Sequence, residues 1–228
     1  MTDQPPEQAQ EPNNATPHSA LRIPCTLILA SASPRRREIL ARLGLSFVVV
    51  PSDAEEVVPE GLSPAAVAQA LADKKALVVA RRYPDATVIG ADTVVALPGP
   101  PPCIFGKPRD DADATAMLRA LRGRWHEVST GLAVVRDREM WRDTITAAVR
   151  MRAYTDDEIA RYIASGEPRD KAGAYAVQGL GGALVAAMRG SELAVVGLPL
   201  RHLAELLLAS GVELPIEPAA IVDAWRPF

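Results

Sequence analysis

Aromatic side chains are scarce in this chain: three Trp, four Tyr and three Phe make up 4% of 228 residues. So small a set builds few stacking platforms for single-stranded nucleic acid. Basic residues do not outnumber acidic ones, with 25 Lys and Arg against 28 Asp and Glu and a formal net charge of −3. No global cationic field advertises a nucleic-acid partner. Cysteine is almost absent. Cys25 and Cys103 form no CxxC pair, so metal ligation by them is not expected, and a reducing, cytoplasmic setting fits. No apolar run approaches the ~18 residues needed to cross a bilayer, so no membrane partner is expected. The first 21 residues hold no Lys or Arg. They lack the basic start and apolar stretch of a signal peptide. Rich in Pro, Gln, Asn and Ala, residues 1–22 read as a disordered tail.

What is present is ordinary globular composition, 48% hydrophobic and 23% charged. That suffices for one large domain or two small halves. Apolar alternation predicts strands at 25–30, 47–50 and 87–89, the last running into Gly90-Ala-Asp-Thr93 and continuing as strand at 94–97, with a β pair at 126–135 and 141–153. Helices are expected at 34–43, 65–81, from Asp110 or Asp111 to Leu121, at 156–165 and at 200–210. Thr155-Asp-Asp-Glu158 is a capping box. Residues 98–103 read as a Pro-rich loop and 167–182 as a Gly-rich one. Residues 183–187 and 193–196 read as another hairpin, turned at Gly190. Central strands with flanking helices indicate an α/β or α+β fold.

The chemistry concentrates in a few places. After the first strand comes Ser31-Ala-Ser-Pro-Arg-Arg-Arg37. Ser33 suits an N-cap and Pro34 the first helical position. Three cations in a first helical turn oppose the helix dipole, which a bound polyanion would compensate. Ser31, Arg35 and Arg36 are thus candidate phosphate contacts, and Lys75 and Lys107 are further ones. Asp92 sits among β-branched apolar residues, where a carboxylate is costly unless paired or bound to a cation. It is either a general base or metal ligand at a strand end, or an ordinary turn Asp. Glu55 and Glu56 follow a strand end and could complete a cation site, although acidic loops are usually just solvated. His126 reads as a surface or core residue. Gln178, in the Gly-rich loop, carries an amide able to match the N–H and C=O edge of a uracil or thymine ring.

Four elements in order, Ser31-Ala-Ser-Pro-Arg-Arg36, Gly90-Ala-Asp-Thr93, Lys107-Pro108 and Asp170-Lys-Ala-Gly-Ala-Tyr-Ala-Val-Gln-Gly179, resemble the Maf family of nucleoside triphosphate pyrophosphatases. The resemblance runs from about Thr26 to Ser210. It implies an α/β fold with a mixed central sheet and flanking helices in two lobes around a cleft, similar to inosine triphosphate pyrophosphatases. It places the domain at 23–212, leaving a C-terminal tail at 213–228. It implies cleavage between the α- and β-phosphates with a divalent metal, Mg²⁺ or Mn²⁺. Ser31, Arg36, Lys75 and Lys107 would hold the triphosphate. Asp92 would be the proton acceptor and a metal contact, and Glu56 a metal or water partner. Arg35, Thr93 and Gln178 fall at positions tied to base specificity.

The stretch beginning at Asp170 looks like the branch acting on dTTP and UTP, rather than the branch acting on 7-methyl-GTP. Modified nucleotides are a close alternative substrate. The chain departs from the family pattern in its N-terminal tail and in the Pro-rich loop flanking Lys107. Maf proteins were named for inhibition of septum formation, so a binding role in cell division is the alternative of a different class. A homodimer is compatible with the sequence.

Overall fold

A computed structural model describes residues 26–55 and 61–222. The expected tail at 1–22, Cys25 and Glu56 lie outside the described residues. The sheet begins with β1 (Leu27–Leu29) and β2 (Phe47–Val49), joined through α1 (Pro34–Ala41). Next come α2 (Pro64–Arg82), the long β3 (Thr87–Leu97), β4 (Cys103–Phe105) and α3 (Asp111–Leu121). A hairpin of β5 (Trp125–Arg136) and β6 (Glu139–Met151) follows, then α4 (Asp156–Ala164). After three short 3₁₀ turns come β7 (Val185–Arg189), α5 (Glu192–Val196) and α6 (Leu200–Ala209), followed by a further 3₁₀ turn at Pro218–Ala220.

These strands form one mixed seven-stranded sheet in the order β2-β1-β3-β5-β6-β7, with β4 also paired to β3. β1 runs parallel to both β2 and β3, and the other pairs are antiparallel. Helices cover both faces, so the fold is α/β. Alternation along the strands sets the two layers. Leu27, Leu29, Ile89 and Ala91 face a core with Ile39, Leu40, Leu203 and Leu207. Ile28, Ala30 and Val88 face α2 through Ala72, Ala76 and Val79. A further core gathers α3, α4 and the 3₁₀ turns around Val95, Leu97, Leu118, Tyr154 and Tyr175. Between residues 213 and 222, Leu214, Ile216 and Ile221 pack onto the first of these cores.

One interruption matters most. β1 pairs with β3 only as far as Ile89, and β4 joins β3 only at Val95, Ala96 and Leu97. Residues 90–94 of β3 therefore have no strand neighbour on that side among the described residues. The sheet carries a notch.

Local signals explain most boundaries. Ser33, Ser63, Asp110 and Thr155 all accept a backbone N–H as N-caps, and Thr155 with Glu158 completes the capping box. Two expectations fail. Residues 193–196 are not a strand: Ser191 caps a short helix through Ala194 N, and Gly197 at φ 115° ends it. Cap and stop signals here override the β-branched Val195 and Val196. Cys103 is not in a loop but opens β4, opposite Leu97.

Candidate active site

A cleft of about 700 Å³ opens at the notch, lined from both faces of the sheet. Asp92 points to the α2 face and Thr93 to the opposite one, because neighbours on a strand alternate. Two glycines on the α2 face flank Asp92: Gly90 precedes it by two residues, and Gly131 is its partner across β5. A Cβ at Gly90 would lie 2.4 Å from Ala72 O, and one at Gly131 would lie 2.5 Å from Ala68 O. Both glycines are thus the condition for α2 to lie against the sheet at this point. That approach brings Lys75 Nζ to 2.5 Å from Asp92 Oδ1, with both side chains about nine-tenths buried. Asp92 is therefore no turn residue but a buried, charge-paired carboxylate inside a strand.

On the other side stands the cationic turn. Ser31 Oγ accepts from Ser33 N at 3.3 Å and from Arg36 NH1 at 3.2 Å. The Arg36 guanidinium also donates to Gly197 O at 2.9 Å and Thr93 Oγ1 at 3.2 Å. Arg35 reaches Asp170 at 3.6 Å. Ser31, Arg35 and Arg36 line the cleft, whereas Arg37 is exposed and does not. Lys107 lines it from the segment after β4, where Gly106 O accepts from Gly173 N at 3.0 Å. The structure thus brings Ser31, Arg35, Arg36, Lys75, Asp92, Thr93, Lys107 and Gln178 to one cavity. It does not bring Glu55, which is exposed; its carbonyl accepts from Lys74 Nζ at 2.6 Å. The proposed metal partner Glu56 is outside the described residues.

The third wall is the loop at 167–182. Glu167 ties its two ends together, accepting from Leu180 N and Gly181 N at 3.0 Å each and from Tyr162 Oη at 3.1 Å. Lys171 Nζ donates to Glu167 O and Asp170 Oδ1. Burial raises the Asp170 carboxyl, but Lys171 and Arg35 more than offset it, and its pKa lies below the usual range. Tyr175 anchors the middle through a 2.6 Å bond with His126 Nε2. Burial pushes the His126 pKa down to about 4 and that of Tyr175 up. His126 is a neutral core residue that supports the loop. Beyond Tyr175, Gln178 faces the cleft, and its amide nitrogen is buried with no hydrogen-bond partner. Sequence reasoning missed Glu167, Asp170, Lys171 and Tyr175 as loop anchors. Glu167 meets Leu180 and Gly181 across a Gly-rich stretch, Asp170 meets Arg35 and Tyr175 meets His126 from elsewhere in the fold, and only the contacts of Lys171 with Glu167 and Asp170 are local.

Fold and site together define a class: an α/β protein with a cation-rich cleft notched into its sheet. Residues 26–210 match the family described as "Maf-like protein". The chain belongs to the Maf family. It is 50% identical over 190 residues to the dTTP/UTP pyrophosphatase of Moorella thermoacetica, covering 82% of this chain and 96% of that protein. Identity to the dTTP/UTP pyrophosphatase of Myxococcus xanthus is 48% over 191 residues, 83% of this chain and 94% of that one. The dTTP/UTP pyrophosphatase of Thermomicrobium roseum is 49% identical over 187 residues, 82% and 84% of the two chains. No helix among the described residues is long and apolar enough to cross a membrane.

Proposed function

We propose that the cleft binds dTTP or UTP and hydrolyses it to the monophosphate and pyrophosphate. The observation that carries this reading is the Lys75–Asp92 pair at the sheet notch, facing the same cavity as the Arg36 turn and Gln178. The names of the relatives support the substrate class. Ser31, Arg36, Lys75 and Lys107 surround the triphosphate and offset its charge. The amide of Gln178, whose nitrogen is buried without a hydrogen-bond partner, suits the base, and Arg35 stands in the same lining. Asp92 takes the proton of a water whose oxygen forms a bond to the α-phosphorus. The bond from that phosphorus to the α–β bridging oxygen breaks, and pyrophosphate leaves. Positioning and charge stabilisation supply most of the rate.

The donor set also suits a hard cation, Mg²⁺ or Mn²⁺, because Asp92 and the Ser31 and Ser52 hydroxyls offer only oxygen. Among the described residues no group of three or more His, Cys, Asp or Glu could hold a metal by itself. Asp92 would hold the ion, with Glu56 as its expected partner, and phosphate oxygens would complete the shell. When bound, such an ion neutralises phosphate charge.

Pyrophosphate release from dTTP, UTP, CTP, dGTP and 7-methyl-GTP, with Mg²⁺ or Mn²⁺, tests the reading. Turnover of dTTP and UTP that falls about 10²-fold or more in Asp92→Asn is the expected result. Folded protein with no turnover of any of them would overturn it in favour of a binding role. Equal turnover by Asp92→Asn would remove Asp92 as the base.

A further inference from the structure

Behind the cleft, three hydroxyl-mediated hydrogen bonds run in one direction. Thr130 on β5 stands directly across from Thr93 on β3 in the sheet register. Thr130 Oγ1 donates to Ala194 O of α5 at 2.7 Å. A hydroxyl has one proton, so Thr130 can only accept in its 2.8 Å contact with Thr93 Oγ1. Thr93 is therefore the donor there. The Thr93 oxygen in turn accepts from Arg36 NH2 at 3.2 Å. The proton order is fixed throughout: Arg36 to Thr93, Thr93 to Thr130, Thr130 to the carbonyl of Ala194.

The same guanidinium is held on its Nε side by Gly197 O, at the C-terminal end of α5. A Cβ at Gly197 would meet Thr93 Oγ1 at 3.0 Å and Arg36 Nε at 3.4 Å, so glycine leaves the space that the network occupies. Thr130 is fully buried and does not line the cleft. It cannot touch a nucleotide. It acts only through what it holds.

We propose that Thr130 is a positioning residue: its hydroxyl, relayed through Thr93, fixes the Arg36 guanidinium in the orientation that receives the phosphates. This rests on the pyrophosphatase reading for the role of Arg36. It also changes the expectation for Thr93. With its proton committed to Thr130, Thr93 has no donor to offer a base, and its influence passes through Arg36. Loss of the relay should then weaken all triphosphates alike, whatever the base.

Thr130→Val keeps the shape and removes the hydroxyl, and Thr130→Ser keeps the hydroxyl. The test measures KM and kcat for dTTP, UTP and CTP, together with calorimetric binding of inorganic tripolyphosphate. Thr130→Val should raise KM about tenfold or more for each nucleotide and weaken tripolyphosphate binding to match. The ranking of bases should not change, and Thr130→Ser should restore both values. Thr93→Val supplies the same loss from the other end of the relay, should Thr130→Val not fold. With both valines together the loss should be less than the product of the single losses, because one chain is broken twice. A Thr130→Val protein with wild-type KM and tripolyphosphate binding would overturn the proposal. So would a selective change toward one base. If the wild type turned over no nucleotide, the pyrophosphatase reading would fall, while tripolyphosphate binding by the same variants would still decide on the relay.

Discussion

Replacing Gly90 by Ala should disturb catalysis through a helix, without touching a catalytic group. The added Cβ would sit 2.4 Å from Ala72 O and 2.8 Å from Ala76 Cβ. Both belong to the rigid α2, and the nearest atom is backbone, so no side chain can swing aside. Reaching even a 3.0 Å contact requires a displacement of at least about 0.6 Å, the difference between that distance and 2.4 Å. Overpacking of this kind costs about 1–3 kcal/mol. At roughly 2–4 °C per kcal/mol for a chain of this size, the melting temperature should fall by several degrees. Lys75 rides on the same helix, so its 2.5 Å contact with Asp92 should lengthen by a similar amount. A misplacement of ~1 Å can cost ~10²-fold in rate, so kcat for dTTP should drop by roughly tenfold or more. Thermal melts and pyrophosphate release on the same samples give both numbers. A fall in melting temperature with unchanged kcat would refute the coupling of α2 to the carboxylate. No change in either would refute the close packing itself.

Two other perturbations follow from the loop and its support. His126 is buried with its pKa near 4, against an ordinary value of 6.5. The unfolded chain takes up its proton in that window and the folded chain does not, so this group removes about 3 kcal/mol of stability as pH falls from about 6.5 to 4. Urea unfolding should show that limb in the wild type and a flatter one in His126→Gln; parallel curves would contradict it. Glu167→Ala should release Leu180 N, Gly181 N and the Tyr162 hydroxyl together. KM for dTTP should rise several-fold and discrimination against CTP should weaken, with Glu167→Gln intermediate; unchanged selectivity would show that the loop does not depend on this clamp.

Features encoded over a few residues were legible in the sequence. Ser33 with Pro34, Asp110 and the Thr155 box placed helix starts, and apolar alternation placed β5 and the two ends of β3, while Gly90 to Thr93 between them turned out to be continuous strand. The start of β6 was harder. Its turn uses Asp137 and Arg138 at positive φ, without the glycine that normally marks such a turn. The five-residue α5 was hidden by β-branched residues that favour strands. Within the site, Ser31, Arg36, Lys75, Asp92 and Gln178 stood out by residue type and motif, and they do share one cavity. Their pairings did not stand out. Lys75 meets Asp92 only because Gly90 and Gly131 admit α2, and Thr130 meets Thr93 only through sheet register. Such contacts arise between segments far apart in the chain and leave no local pattern.

The bare stretch of β3 at the notch also poses a hazard. An uncovered strand edge is a template onto which another chain can add, and proteins commonly guard such edges with charge and brevity. Here the stretch is short, recessed, and flanked by Arg36 and Lys75. The cations that suit a polyanion therefore double as sentries against misassembly. Inactive variants are not equivalent in this respect. Asp92→Asn leaves both sentries in place, whereas Lys75→Met removes one and also strips the buried Asp92 carboxylate of its partner, so only the double variant Lys75→Met with Asp92→Asn isolates the guarding of the edge.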